Sequence, residues 1–475
     1  MTIKEIQQGL KEKQFSAKEL VEKFLAVIRE KEKELNALVT VTEERALRQA
    51  ELIDRAILRG EELSPMAGVP YTLKDAILVR GERCTASSRM LEPYVASYDA
   101  TVAKRLDEAG AVLLGKTNLD EFGMGASTEN SAFGPVKNPH DPAKVAGGSS
   151  GGSAASVAAG ECVVSLGEDT GGSIRLPASF CGVVGLKPTY GAVPRHGVIA
   201  LASSLDQVGP FAKTVEDAET AFRAISGRDE HDATSAQYAY QPFQHDPKRL
   251  RIGVPKEYFS EGLETAVEKI IRASIQTFES EGADVVEISL PHAPYALAVY
   301  YIINTSEASA NLARYDGMRY GARYSQEHLN NLVEVYGNNR GRGLGAEVKR
   351  RIMLGTFALS AGYHEAYYGK AQKIRTLLRQ DFDKAFEQVD VIMGPVSPFL
   401  PFSIGERMQD PLAMYLVDMY AVPVNLAGLP AISVPAGKAG NLPIGLHMIA
   451  NAFREDLLFS VGKSFELLRQ QVYNI

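Results

Sequence analysis

The chain of 475 residues is long enough for about two to four average domains or one large α/β domain. Hydrophobic residues make up 45% and charged residues 23%, a globular balance that excludes disordered and fibrous classes. A net charge of −7 argues against direct nucleic-acid binding, and no apolar run is long enough to span a membrane.

The opening Met1-Thr2-Ile3-Lys4 runs into a polar helical pattern, unlike a secretory signal. Three cysteines (Cys84, Cys162, Cys181) build no disulfide framework and lack zinc spacing, so a reducing, cytoplasmic setting is expected. Residues 1–60 read as a helical segment packed on the core. Ser16 and Glu19 form a capping box, Phe15 and Leu20 its hydrophobic staple, and Leu20, Phe24, Leu25 and Ile28 follow at helical spacing. A second helix is expected over 43–59, ending at Gly60.

From Met66 short apolar runs alternate with helical patterns. Strands are expected at 69–73, 111–114, 163–166, 250–254, 285–288, 389–393, 432–434 and 444–449. Residues 115–118 read as the loop after the second of these. Helices are expected at 101–108, 215–225, 263–281, 348–368 and 371–386. The polar stretch 227–248 reads as a surface connection. This alternation implies an α/β fold around one large sheet. The remainder, 61–475, reads as one domain with a helical and strand insertion around 250–385.

Glycine totals 42, and eleven of these lie between Gly147 and Gly191. Three readings of this window compete. A phosphate-cradling loop would need a Gly-Lys-Ser/Thr ending or a G-x-G-x-x-G after a strand, and neither is present. Gly147-Gly148-Ser149-Ser150-Gly151 matches a nucleophile elbow, but 138–142 reads as loop where the elbow needs a hydrophobic strand. The third reading takes Asp169-Thr170-Gly171-Gly172-Ser173 after an apolar strand. Adjacent glycines there let consecutive N–H groups turn toward one oxyanion, beside a serine placed to attack a carbonyl.

That serine needs a base. None of the eight histidines (His140, His196, His231, His245, His292, His328, His364, His447) stands in a motif beside these serines. Lys74, at the end of an apolar strand, is the other choice, because burial yields a neutral amine. On the strand pattern alone, a lysine whose head reaches water is the more ordinary reading.

Leu73-Lys74-Asp75, the run GGSSGGSAA (147–155) and the run DTGGSIR (169–175) resemble the amidase signature family. The resemblance implies a large central mixed β-sheet flanked by helices on both faces. It also implies a Ser-cisSer-Lys triad with Ser173 as nucleophile, Ser149 as bridge after a cis Gly148–Ser149 bond, and Lys74 as base. Backbone N–H groups of Thr170, Gly171, Gly172 and Ser173 would hold the oxyanion. Ser150, Ser153 and Ser156 read as structural hydroxyls at a helix start.

Further runs, among them 117–122, 306–309, 315–321, 348–363 and 423–430, resemble the A subunits of tRNA-dependent amidotransferases within that family, and this likeness extends over essentially the whole chain. It implies hydrolysis of glutamine and delivery of ammonia to a partner that uses ATP and Mg to amidate Glu-tRNA(Gln), or Asp-tRNA(Asn). The implied assembly is a heterotrimer with B and C subunits, in which the tRNA is contacted mainly through B and this chain binds no cofactor. Arg351 is implied for the glutamine carboxylate, Asp418 for its ammonium and Tyr300 as a lining donor, with Met124 and Gly125 beside them. The charge run Lys349-Arg350-Arg351 by itself reads as a solvated helix face. Two departures from the family pattern stand out, Ala146 in place of proline and Glu168 in place of serine. A stand-alone amidase acting on aryl or aliphatic amides is the alternative reading, and a catalytically dead scaffold a third.

Overall fold

The computed structural model describes residues 1–324 and 331–473. His328 lies outside these residues. Three helices, Ile3–Lys11, Ala17–Leu35 and Glu43–Leu58, open the chain. The Ser16 box forms as expected: Glu19 N–H donates to Ser16 Oγ at 3.1 Å, and Ser16 N–H donates to the Glu19 carboxylate at 2.7 Å. Asn36 takes a left-handed conformation (φ 55°) and ends the second helix. The β-branched run after it then forms a strand that a purely helical reading of this segment passes over.

In chain order the strands are β1 (Leu38–Val41), β2 (Pro70–Lys74), β3 (Val112–Thr117), β4 (Lys137–Asn138), β5 (Asp141–Val145), β6 (Val164–Asp169), β7 (Val184–Lys187), β8 (Gln207–Ala212), β9 (Arg251–Pro255), β10 (Asp284–Ile288), β11 (Val391–Pro395), β12 (Ala431–Ala439) and β13 (Leu442–Ala450). Eleven of them build one mixed sheet in the order β1-β3-β2-β6-β8-β7-β12-β13-β11-β9-β10, while β4 and β5 pair apart from it. The α/β class and the large mixed sheet are as expected.

Alternate strand residues enter different apolar clusters. Val391, Met393, Met448 and Ala450 join one, and Ile392 and Ile449 join another. Both faces of the sheet are therefore covered, as the two-residue period of a strand requires.

Four local expectations change. β3 runs on through Gly115-Lys116-Thr117, expected as loop, because those residues pair with β2. β7 and β8 escape a sequence search, since one is short and the other carries an interior Gly-Pro. The helix expected over 348–368 breaks after Ala346–Leu359 at Ser360, near Gly362 with φ 87°. A strand does precede Gly147, namely β5. It pairs with β4 and bridges to Ser403, outside the main sheet, and so is not the central strand that a nucleophile elbow requires.

Candidate active site

β2 and β6 run parallel in adjacent positions, with Tyr71 opposite Val164 and Leu73 opposite Leu166. Their carboxyl ends therefore open on the same side of the sheet, where α/β folds build sites. Lys74 is the last residue of β2, and the glycine loop Thr170–Ser173 follows β6 directly. Lys74 Nζ lies 2.8 Å from Ser149 Oγ and 3.3 Å from the Glu168 carbonyl oxygen, with no solvent exposure. The snorkelling alternative for Lys74 is thereby removed.

The Gly148–Ser149 peptide bond is cis. Its neighbours leave no room for a side chain at Gly148: an added Cβ would stand 2.2 Å from Asp120 Oδ2 and 2.7 Å from the amide nitrogens of Ser127 and Thr128. Ser149 carbonyl accepts from Asp120 N–H at 3.1 Å, and Gly147 carbonyl accepts from Thr128 Oγ1 at 2.8 Å. The helix Gly151–Ala159 leaves this loop, and its serines tie it to β6. Ser150 Oγ donates to the Glu168 carbonyl at 3.0 Å and Ser153 Oγ to the Leu166 carbonyl at 3.1 Å, while Ser156 Oγ bonds back to Ser153 within the helix. Ser150 N–H also donates to the Ser173 carbonyl at 3.3 Å, which holds the two serine loops edge to edge.

The loop Thr170–Ser173 is shaped from beneath by Asp169. Its carboxylate accepts from Gly172 N–H at 2.8 Å and from Ile174 N–H at 3.0 Å. Arg175 meets the same carboxylate through Nε and Nη2, both at 3.1 Å, and reaches the Asn425 side chain, the Ala421 carbonyl and His447 Nε2. Burial alone would raise Asp169. Arg175, Lys187 and the Asn425 amide outweigh it and hold the carboxyl well below the usual range. Gly172 N–H, expected among the oxyanion donors, is directed at the Asp169 carboxylate here. Thr170 Oγ1 donates to Asp206 at 2.8 Å, and Asp206 also accepts from the Leu201 and Ala202 amides.

Two of the residues expected to hold glutamine, Tyr300 and Asp418, stand against the same loop. An added Cβ at Gly171 would stand 2.6 Å from Tyr300 Oη, and one at Gly172 would stand 2.9 Å from Asp418 Oδ1. Asp418 is 7% exposed, and its Oδ1 has no hydrogen-bond partner. Burial, then the nearby Asp169, pushes its carboxyl far up, against the pull of Arg351. A bound ammonium would reverse that balance.

Arg351 is 3% exposed, so the solvated-face reading of its charge run does not hold. Its Nε donates to Glu347 Oε1 at 2.8 Å and its Nη1 to Asn304 Oδ1 at 3.3 Å, and the guanidinium lies over the rings of Tyr301 (5.2 Å) and Tyr415 (5.6 Å). Asn304 Nδ2 in turn donates to Tyr300 Oη at 3.3 Å. Met124 is buried in the apolar cluster that contains Tyr300, and Gly125 packs against the Asp120 carboxyl.

Sequence reasoning passed over Asp169, Arg175, Asn425, Asp206 and Asp120 as parts of the site. Asp169, Arg175 and Asn425 stand inside the runs that carried the family resemblance, yet only the fold joins them. His447 is fully buried, against Arg175. Burial and then Arg175 drive its proton affinity well down. Among the described residues no group of three or more His, Cys, Asp or Glu is arranged to hold a metal ion, and no helix is long and apolar enough to cross a membrane.

The family model described as Amidase matches residues 19–459. The chain is 54% identical to the A subunit of the glutamyl-tRNA(Gln) amidotransferase of Carboxydothermus hydrogenoformans, over 98% of this chain and 96% of that one. It is 53% identical to the protein of the same name from Koribacter versatilis, over 98% of each. The crystal structure of the corresponding A subunit from Thermotoga maritima superposes with a TM-score of 0.80 at 40% identity, covering 98% of this chain and 94% of that one.

Proposed function

Because the chain belongs to the amidase family, we propose that it is the glutamine-hydrolysing subunit of a tRNA-dependent amidotransferase, working through Lys74, Ser149 and Ser173. The observation that carries the chemistry is the fully buried amine of Lys74 at 2.8 Å from the Ser149 hydroxyl. Burial lowers the proton affinity of Lys74. The neutral amine takes a proton from Ser149 as Ser149 takes one from Ser173, whose oxygen attacks the side-chain amide carbon of glutamine. Base assistance of this kind contributes about 10²–10⁴-fold.

The oxyanion is held by the N–H groups of Thr170, Gly171 and Ser173, and loss of one such donor costs about 10²–10³-fold. The proton returns along the relay to the departing ammonia. Water then attacks the acyl-Ser173 ester, activated by the same relay, and glutamate leaves.

Substrate selection follows from opposite charges at the two ends of the site. Asp418, with an unpartnered buried oxygen, takes the glutamine ammonium, Arg351 takes the carboxylate, and Tyr300 lies between them at the glycine loop. Met124 and Gly125 line the near wall. Ammonia passes to the B and C partners, where ATP and Mg are held and the tRNA is contacted mainly through B. The reading of an A subunit rests on identity of 52–54% with chains of that name over nearly their full length.

The test is a glutaminase assay of the chain alone and assembled with B and C subunits, misacylated tRNA and ATP. Low activity alone and a gain on assembly are expected. Equal rates in both states, or efficient turnover of simple amides without preference for glutamine, would favour a stand-alone amidase instead.

A further inference from the structure

One group beside the relay has no part in the chemistry described above. Glu168 is 2% exposed, its Oε2 lies 3.8 Å from Lys74 Nζ, and its Oε1 has no hydrogen-bond partner. Its backbone is bound into the site on both sides. The carbonyl accepts from Lys74 Nζ and Ser150 Oγ, and the amide donates to Ser150 Oγ at 3.3 Å. A Cβ added at Gly123 would stand 3.7 Å from Ser149 Oγ and 4.0 Å from Glu168 Oε2, so the bridging hydroxyl and this carboxyl face the same small gap.

We propose that Glu168 is a positioning residue of the amidase reaction, whose charge, felt at Lys74, sets the pH above which that lysine is an unprotonated base. The proposal rests on Lys74 being the base, as read above.

The separation of 3.8 Å is beyond a hydrogen bond but well inside the range over which an ionised carboxylate stabilises an ammonium. With Glu168 ionised, Lys74 keeps its proton to a higher pH. Without that charge, Lys74 becomes free to accept from Ser149 at a lower pH. Burial disfavours charge on both members, which pushes the Glu168 carboxyl up and the Lys74 ammonium down. The other charged groups facing them are Asp206, Asp169 and Arg195 toward Glu168, and Asp120, Asp169 and Asp206 toward Lys74. Of these carboxylates only Glu168 comes within 4 Å of the amine. The two ionisations are mutually dependent, so the rate rises with pH in steps that belong to the pair.

The experiment is the pH dependence of glutaminase kcat/KM for the full chain assembled with its B and C partners. Glu168→Gln keeps the shape and removes the charge. Its acid limb is expected to move about one pH unit or more toward low pH and to become a single ionisation, with KM little changed. Glu168→Asp, which keeps a carboxyl, should hold the limb nearer its original position. Glu168→Ser gives a second charge-free variant should the glutamine fit poorly. A rate lowered equally at all pH values, with an unmoved limb in both charge-free variants, would overturn the inference and mark Glu168 as structural only. Lys74→Met in the same assay separates the two levels. If it keeps the wild-type rate, the triad reading fails. If it is inactive while the limb of Glu168→Gln stays put, only the role of Glu168 fails.

Discussion

Arg175→Met is the sharpest test of how the glycine loop is held. Arg175 is fully buried and gives two bonds to Asp169 at 3.1 Å and one to Asn425 at 2.5 Å, with further contacts to the Ala421 carbonyl and His447. Methionine fills much of the volume and supplies no charge. Asp169 would then be a buried carboxylate without its cation, and breaking one side of such a pair costs about 3–5 kcal/mol. That is a large part of a typical folding free energy of about 5–15 kcal/mol. Lys187 moderates the loss. Burial and then Arg175 hold its ammonium down to about 7, so deleting Arg175 lets Lys187 ionise and partly replace it. The lower end of the range is therefore expected.

The sign of the pH dependence also changes. In the wild type the Asp169 carboxyl is depressed. Its contribution is present above the unfolded value of about 3.9 and is lost as pH falls. In Arg175→Met the folded carboxyl is raised above that value, so its contribution is present at low pH and lost as pH rises toward neutrality. Urea unfolding of wild type and variant between pH 4 and 8 measures both effects. Asp169→Asn combined with Arg175→Met should recover part of the loss, because no buried charge is then left alone. A loss under about 1 kcal/mol for Arg175→Met, with unchanged glutaminase rate, would refute the idea that this pair holds the loop.

Ser173→Ala should abolish glutamine hydrolysis, and Lys74→Met should lower kcat by about 10²–10⁴-fold, read in a coupled ammonia assay. A γ-glutamyl adduct on Ser173 trapped by mass spectrometry would exclude a dead scaffold. Gly171→Ala drives a methyl to 2.5 Å from the Tyr300 ring and should raise KM at least about tenfold, with partial rescue by Tyr300→Ala. Arg351→Ala should raise KM for glutamine about 10²-fold while affecting a simple amide lacking an α-carboxylate far less. Lys187, neutral in the fold above about 7 but charged in the unfolded chain up to about 10, makes stability rise with pH across that window, and Lys187→Met should flatten the rise in urea titrations.

What could be read from the residues alone was whatever local chemistry writes into contiguous sequence. The Ser16 box, the glycine–serine runs and the apolar strand ahead of Lys74 are all short-range signals; the alternation of strand and helix patterns carried the α/β class, while Lys74, Ser149 and Ser173 were named together only through the resemblance to the amidase signature family. Short or interrupted strands escaped, because Val184–Lys187 and Gln207–Ala212 owe their conformation to neighbours on both sides rather than to their own pattern. The site as a whole was a decision of the tertiary structure. Parallel pairing of β2 with β6 sets Lys74 beside the loop that follows β6, its amine meets Ser149 75 residues along the chain, and Arg175 joins Asp169 to Asn425 and His447 from the far end of the chain. The same packing removes Arg351 from solvent, directs the Gly172 amide at Asp169 and buries Glu168 next to Lys74. Burial and charge proximity are properties of three-dimensional neighbours, and they set proton affinities that no linear spacing encodes.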